Sequence, residues 1–212
     1  MQKLIKGIHK FRENEFGKYK RLFQRLSSNG QNPHTLFITC SDSRVLAELI
    51  TQSKPGDLFV VKNVGNIIPP ASLTGGTNST AAAIEFAVQT LGVSDIVVCG
   101  HSFCGAMVGL LSNLQDQANM PNLSDWLEIA APVRKLIKDN YSHLETEEQR
   151  ITAAAQENVL FGLENLQTYP FIESRLQEGT LNLHGWFFKI ATAEMFAYDS
   201  ITQQFQIIEK LE

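Results

Sequence analysis

Three absences narrow what this chain of 212 residues can do. Cysteine is scarce and odd in number: Cys40, Cys99 and Cys104 are all there is. That is no disulfide framework, and it points to a reducing compartment. Long apolar runs are missing too. None approaches the roughly 18 residues that a spanning helix needs, and polar residues interrupt any block behind Lys3 and Lys6, so no signal peptide is evident. The expected location is the cytoplasm. Finally, there is no strong excess of charge. A formal net charge of −4 gives no reason to expect nucleic acid or an anionic membrane as the main partner. Glycine gathers in the loop at 69–78, yet neither the Walker spacing nor GxGxxG occurs there, which disfavours a phosphate cradle.

What is present fits a globular protein: 43% hydrophobic and 19% charged residues, at a length suited to one domain plus an arm. Residues 2–28 carry Leu4, Ile5, Ile8, Phe11, Phe16, Tyr19, Leu22, Phe23 and Leu26 at helical spacing, with Lys and Arg opposite. A solvated basic face on a helix packing against the core or a second subunit explains this better than a membrane ligand, and Gly17 is expected to divide the helix. Strand and helix patterns then alternate, which predicts a parallel sheet with helical crossovers. Strands are expected at 35–39, 58–61 and 94–99, and helices at 45–51, 79–91, 103–112, 123–140 (with Pro132 as a kink) and 146–167. A polar stretch fills 113–122. The tail, with strand signals near 182–188, 195–198 and 205–208, predicts an antiparallel hairpin at a sheet edge. The expected fold is a three-layer α-β-α sandwich with a mainly parallel sheet, an antiparallel edge strand and an N-terminal helical arm (1–30) before the α/β domain (31–212).

Two short segments organise this frame. Thr39-Cys40-Ser41-Asp42-Ser43-Arg44 follows the apolar run Leu36-Phe37-Ile38, and Gly100-His101-Ser102-Phe103-Cys104-Gly105 follows Ile96-Val97-Val98-Cys99. Residues just past the carboxyl ends of neighbouring parallel strands converge on one crevice. Cys40, His101 and Cys104 would there form a Cys2His set for zinc with the fourth position open, as catalytic sites require. Cys104 at a helix N-terminus gains from the positive end of the dipole, which favours thiolate. Gly100 and Gly105 suit a backbone that passes close to the ion. Asp42 could aim a nucleophile and Arg44 hold Asp42 ionised by a bidentate pair; the plainer alternative is a helix-capping Asp beside an unrelated Arg. Cys99, inside a strand, reads as a small buried hydrophobe. His9, His34 and His143 read as surface groups, and His184 and Trp186 as packing.

Cys-Ser-Asp-Ser-Arg followed about sixty residues later by Gly-His-Ser-x-Cys-Gly resembles the β-class carbonic anhydrases. The similarity runs through Gly56-Asp57-Leu58-Phe59-Val60-Val61-Lys62-Asn63, Asn66-Ile67-Ile68-Pro69-Pro70, Ala83-Ile84-Glu85-Phe86-Ala87 and Leu183-His184-Gly185-Trp186, and is nearest the cyanobacterial, carboxysomal branch. The resemblance implies a zinc enzyme, one Zn2+ per chain, that interconverts carbon dioxide and bicarbonate through zinc-bound hydroxide. It implies Cys40, His101 and Cys104 as zinc ligands, Asp42 and Arg44 as a catalytic dyad, and Gln31 as a substrate-binding residue. Phe59, Val64, Phe86 and Gly105 match its apolar pocket and close-approach positions. It further implies a homodimer or an oligomer of dimers, with N-terminal helices wrapping the neighbour, and raises carboxysome shell or scaffold proteins as partners.

Some positions depart from the family pattern. Ser79-Thr80-Ala81 stands where Gly-x-Gly or Glu-Gly is common, Phe86 replaces Tyr, and the loop from Ala71 to Asn78 is longer. Phe37 and Thr39 occupy the places of a Trp and a Gly that mark the bicarbonate-inhibited branch. With the sequence ending at Glu212, carboxysomal targeting through a long C-terminal extension is not expected. Two rivals stand beside the enzyme: a paralogue that keeps zinc as a regulatory or scaffold subunit, and a thiol-redox or structural zinc protein using Cys40 and Cys104.

Overall fold

The computed structural model describes residues 1–73, 75–112 and 119–209. Most of the polar stretch at 113–122, and residue 74 of the Gly-rich loop, lie outside the described residues. The first strand, β1 (Thr35–Cys40), is buried along its whole length, and its apolar residues alternate between two environments. Leu36 and Ile38 point to one side with Ile96 and Val98, whereas Phe37 points to the other with Val97 and Cys99. That period of two is what a strand buried on both faces must show.

Among the described residues, six strands form one sheet in the order β2-β1-β3-β4-β5-β6. β2 (Leu58–Asn63), β1, β3 (Asp95–His101) and β4 (Asn182–Lys189) run parallel, and β5 (Glu194–Asp199) and β6 (Gln204–Ile207) add on antiparallel. The mainly parallel sheet is as expected. The tail differs in detail: β4 pairs parallel with β3, and two antiparallel strands follow it where one was expected.

Helices α3 (Ala47–Thr51), α4 (Ser79–Glu85), α5 (Gly105–Leu111) and α8 (Glu147–Gln167) connect the strands. Thr146 opens α8 with a capping box: its side chain accepts from Gln149 N, and Gln149 reaches back to the Thr146 amide. α8 packs directly on β3 and β4 because small residues let it approach. A Cβ on Gly100 would stand 2.9 Å from Val159 Cγ2 and 3.0 Å from the Ala155 carbonyl oxygen, so this strand position needs glycine. Cys99 is fully buried, and burial pushes its thiol up to about 12, as suits an inert core residue.

Several boundaries correct the sequence expectation. The arm is helical from α1 (Gln2–Lys10) to α2 (Phe16–Asn29), and the break is a π-helical stretch at Phe11–Glu15, not at Gly17. The pattern at 123–140 is two helices, α6 (Pro121–Glu128) and α7 (Ala131–Asn140). Pro132 sits in the first turn of α7, where its missing N–H costs nothing, and starts a helix instead of kinking one. A short helix, α9 (Pro170–Gln177), had not been expected; it opens on proline in the same way. No helix among the described residues is long and apolar enough to cross a membrane.

Candidate metal centre and active site

Cys40 is the last residue of β1 and His101 the last of β3, and the two strands are parallel neighbours with Thr39 level with Cys99. The chain then turns sharply so that Cys104 caps α5. Phe103, in the middle of that turn, adopts a left-handed φ of 54°, rare for a bulky residue. The turn is anchored to the end of β4: Ser102 N donates to Phe188 O, and Ile190 N donates to Ser102 Oγ. Held this way, the two sulfurs and the imidazole nitrogen lie within 4.8 Å of one another, all buried.

The donor set fits zinc on two independent grounds. Cys40 Sγ and Cys104 Sγ are 4.0 Å apart. Thiolates at ~2.3 Å from a tetrahedral zinc stand ~3.8 Å apart, whereas a disulfide needs ~2.05 Å. His101 supplies the second. Its Nδ1 lies 2.9 Å from Ser102 O, which can only accept, so Nδ1 carries the hydrogen. Nε2 is then a bare lone pair, fully buried with no hydrogen-bond partner. An imidazole so oriented by its other nitrogen is a metal ligand in waiting. The two thiols share a hydrogen bond that either sulfur can donate, and their coupling lowers the Cys40 thiol and raises that of Cys104. Gly65 N–H also points at Cys40 Sγ, at 3.4 Å.

Asp42 sits against this set and outside it. Arg44 grips its carboxylate twice, Nε to Oδ1 at 3.0 Å and Nη2 to Oδ2 at 2.8 Å, and the Arg44 amide adds a third bond to Oδ1. Arg44 Nη2 also donates to Phe103 O, tying the dyad to the metal-site turn. Oδ2 stands 4.0 Å from His101 Nε2. The capping alternative fails, because α3 begins only at Ala47. The Arg44 side-chain bonds hold the Asp42 carboxyl well below the usual carboxylate range. Its folded-state pKa is depressed, so the stabilisation from this pair is complete above the ordinary value of ~3.9 and is lost as pH falls through the folded value. Asp42 is therefore ionised throughout the neutral range. Lys62 Nζ donates to the carbonyls of Asp42 and Val45 and fastens the loop from behind.

The remaining predicted residues divide. Val64 follows β2 beside the metal ligands and is 42% exposed. Gly105 adjoins Cys104, but a Cβ there would meet no atom within 4 Å. The tight glycine is Gly65, which was not anticipated. It has φ 78°, and a Cβ on it would lie 2.8 Å from Ala106 Cβ. Phe59 and Phe86 pack on each other at 5.8 Å. Yet Phe59 is paired with Leu36, four residues back from the Cys40–Asn63 pair, or ~13 Å along the strand. Gln31 precedes β1, at the opposite end from Cys40. The chain thus gathers Cys40, Asp42, Arg44, Val64, His101, Cys104 and Gly105, and does not bring Gln31, Phe59 or Phe86 to them. Sequence patterns gave no sign of Trp126 or Asn158, which donate to the carbonyls of Val64 and Gly65. A groove of about 1020 Å³ over α5, α7 and α8 reaches none of the metal-site residues.

Fold and site together define a class: an α/β enzyme framework with a two-thiolate, one-imidazole metal centre at the carboxyl ends of parallel strands. Comparison with known proteins makes the class specific. The family model described as carbonic anhydrase matches residues 35–195. A carbonic anhydrase of Synechocystis sp. is 51% identical over 205 residues, covering 97% of this chain and 73% of the relative. One of Synechococcus elongatus is 46% identical, covering 92% and 70%. The solved β-carbonic anhydrase CcaA superposes with a TM-score of 0.93 at 50% identity, covering 98% of this chain and 99% of that one. A structure described as one of two tetrameric β-carbonic anhydrases from Sordaria macrospora gives 0.82 at 33%, covering 92% and 95%. The chain belongs to the carbonic anhydrase family, in its β class and close to the cyanobacterial branch, and is an enzyme of that kind.

Proposed function

We propose that this chain catalyses the reversible hydration of carbon dioxide to bicarbonate and a proton, with one zinc per chain held by Cys40, His101 and Cys104. The observation that carries this reading is the lone pair of His101 Nε2, buried and unpartnered between two cysteines and facing the Asp42–Arg44 pair. Zinc held there supplies a Lewis acid that brings the pKa of a water from about 15.7 to about 7. Asp42, kept ionised by Arg44, accepts a hydrogen bond from the attacking oxygen and turns that oxygen's remaining lone pair towards the carbon of CO2. Arg44 acts through Asp42 and does not need to touch substrate. Val64 and Gly105 leave an apolar, open approach for a small uncharged molecule. The proton passes to buffer.

The full pocket belongs to two copies in this reading. Gln31, Phe59 and Phe86 serve the site of a neighbouring subunit, and residues 1–30 form the arm that joins the pair, with 31–212 as the catalytic domain. The arm supports this: Leu4, Ile5 and Ile8 on α1 and Phe11 in the π-helical stretch are 42–67% exposed, and neither segment has a buried residue. The assembly is a homodimer or an oligomer of dimers working in the cytoplasm. Stopped-flow CO2 hydration on zinc-quantified protein tests the reaction and the division of labour together. The wild-type chain is expected to turn over, and Cys40→Ser and Gln31→Ala each to lose activity. Oligomers reassembled from a mixture of the two should regain activity above the sum of the parents, because one site then has its own ligands and an intact neighbour. No turnover from zinc-loaded wild type overturns the reaction, and no regain on mixing overturns the shared pocket.

A further inference from the structure

One interaction lies behind Cys40 and outside the Asp42–Arg44 pair. Trp126, on α6, donates its indole Nε1–H to Val64 O at 2.7 Å. Val64 O and Gly65 N–H belong to the same peptide unit, which is planar and trans, so the two groups point in opposite directions. The N–H end of that unit is the one aimed at Cys40 Sγ, at 3.4 Å. The next unit is fixed as well: buried Asn158, on α8, donates Nδ2–H to Gly65 O at 2.9 Å. Asn63 closes the turn from the other side, accepting from Ile67 N and donating to Ile67 O.

Resting on zinc at Cys40, we propose that Trp126 is a positioning residue for the metal centre: through the Val64–Gly65 peptide it fixes and polarises the N–H that hydrogen-bonds the Cys40 ligand, with Asn158 locking the adjoining peptide. A hydrogen bond to one end of a peptide strengthens the bond made by the other end. An N–H directed at a ligand thiolate withdraws electron density from sulfur. That matters in this donor set, because two thiolates give zinc more charge, and hence less acidity, than neutral imidazoles would. The indole therefore offsets part of what the second thiolate costs, at a distance and without touching metal or substrate. Gly65 is needed for the same device. Its left-handed φ aims the N–H, and a side chain there would strike Ala106.

The test is Trp126→Phe, which keeps an aromatic ring on α6 and removes the N–H together with the pyrrole part of the indole. Wild type and variant are loaded with cobalt(II), and the thiolate-to-cobalt charge-transfer band is recorded; zinc affinity is measured by chelator competition. Loss of the bond raises the energy of the sulfur lone pair, so the band is expected to move to longer wavelength. Zinc affinity is expected to fall about tenfold or more, as when a group behind a metal ligand is removed. Asn158→Ala is the second variant, expected to shift the band in the same sense. An unchanged band in both variants overturns the proposal, even if affinity falls, because weaker binding alone would mark a merely structural residue. The band is read whether or not the protein hydrates CO2. Failure of the proposed reaction and failure of this inference are thus separate results.

Discussion

Cys40→Ser should leave the protein folded, largely zinc-free and without CO2 hydration above background. Serine has nearly the shape of cysteine, and β1 is buried along its length by residues that do not depend on the metal, so the sheet has little reason to change. The ligand set does change. A hydroxyl is a poor zinc ligand at neutral pH, and it leaves Cys104 and His101 to hold the ion alone. Removing a group behind a ligand costs about 10- to 100-fold in metal affinity; removing the ligand should exceed that. Metal analysis after gel filtration, beside circular dichroism and stopped-flow rates, checks all three parts. A folded variant that keeps full zinc and full rate would remove Cys40 from the site.

Asp42→Asn should do the opposite to metal and similar damage to rate: zinc content unchanged, kcat lower by about 10² to 10³, the range for losing one preorganised hydrogen-bonding group at a reacting centre. Asp42 is not one of the three ligands, so the ion has no reason to leave. The amide keeps the volume but loses the charge that Arg44 clamps, and its N–H2 replaces one of the two oxygens at which the Arg44 side-chain donors point. The acceptor that aims the nucleophile is therefore misplaced. Arg44→Lys should give a smaller loss of the same kind, since one ammonium cannot reproduce the fork. A rate within twofold of wild type in Asp42→Asn would make the pair a structural clamp only.

The proposed ligands were legible in the sequence for a physical reason. Cys40 and His101 each stand at the end of an apolar run of strand length, and parallel strands deliver such residues to one edge. Asp42 and Arg44 were legible because two residues of spacing lets a turn bring a carboxylate and a guanidinium together. The helix breaks were harder. Periodicity runs unchanged through the π-helical stretch at Phe11–Glu15. Pro132 signals a helix start as well as a kink, and the structure uses it as a start. Gln31, Phe59 and Phe86 show the limit most plainly. A motif match fixes a residue's place along the chain, not whether the fold brings it to the site. Trp126 left no pattern at all, because its role depends on one indole N–H meeting one carbonyl 62 residues away in the chain.

The most direct test is to add zinc stepwise to metal-free protein and follow the rate of CO2 hydration. The rate should start at background, rise in proportion to zinc taken up, and level off at one zinc per chain. Zinc uptake to one per chain with the rate still at background would contradict the account and leave a metal-binding subunit without catalysis.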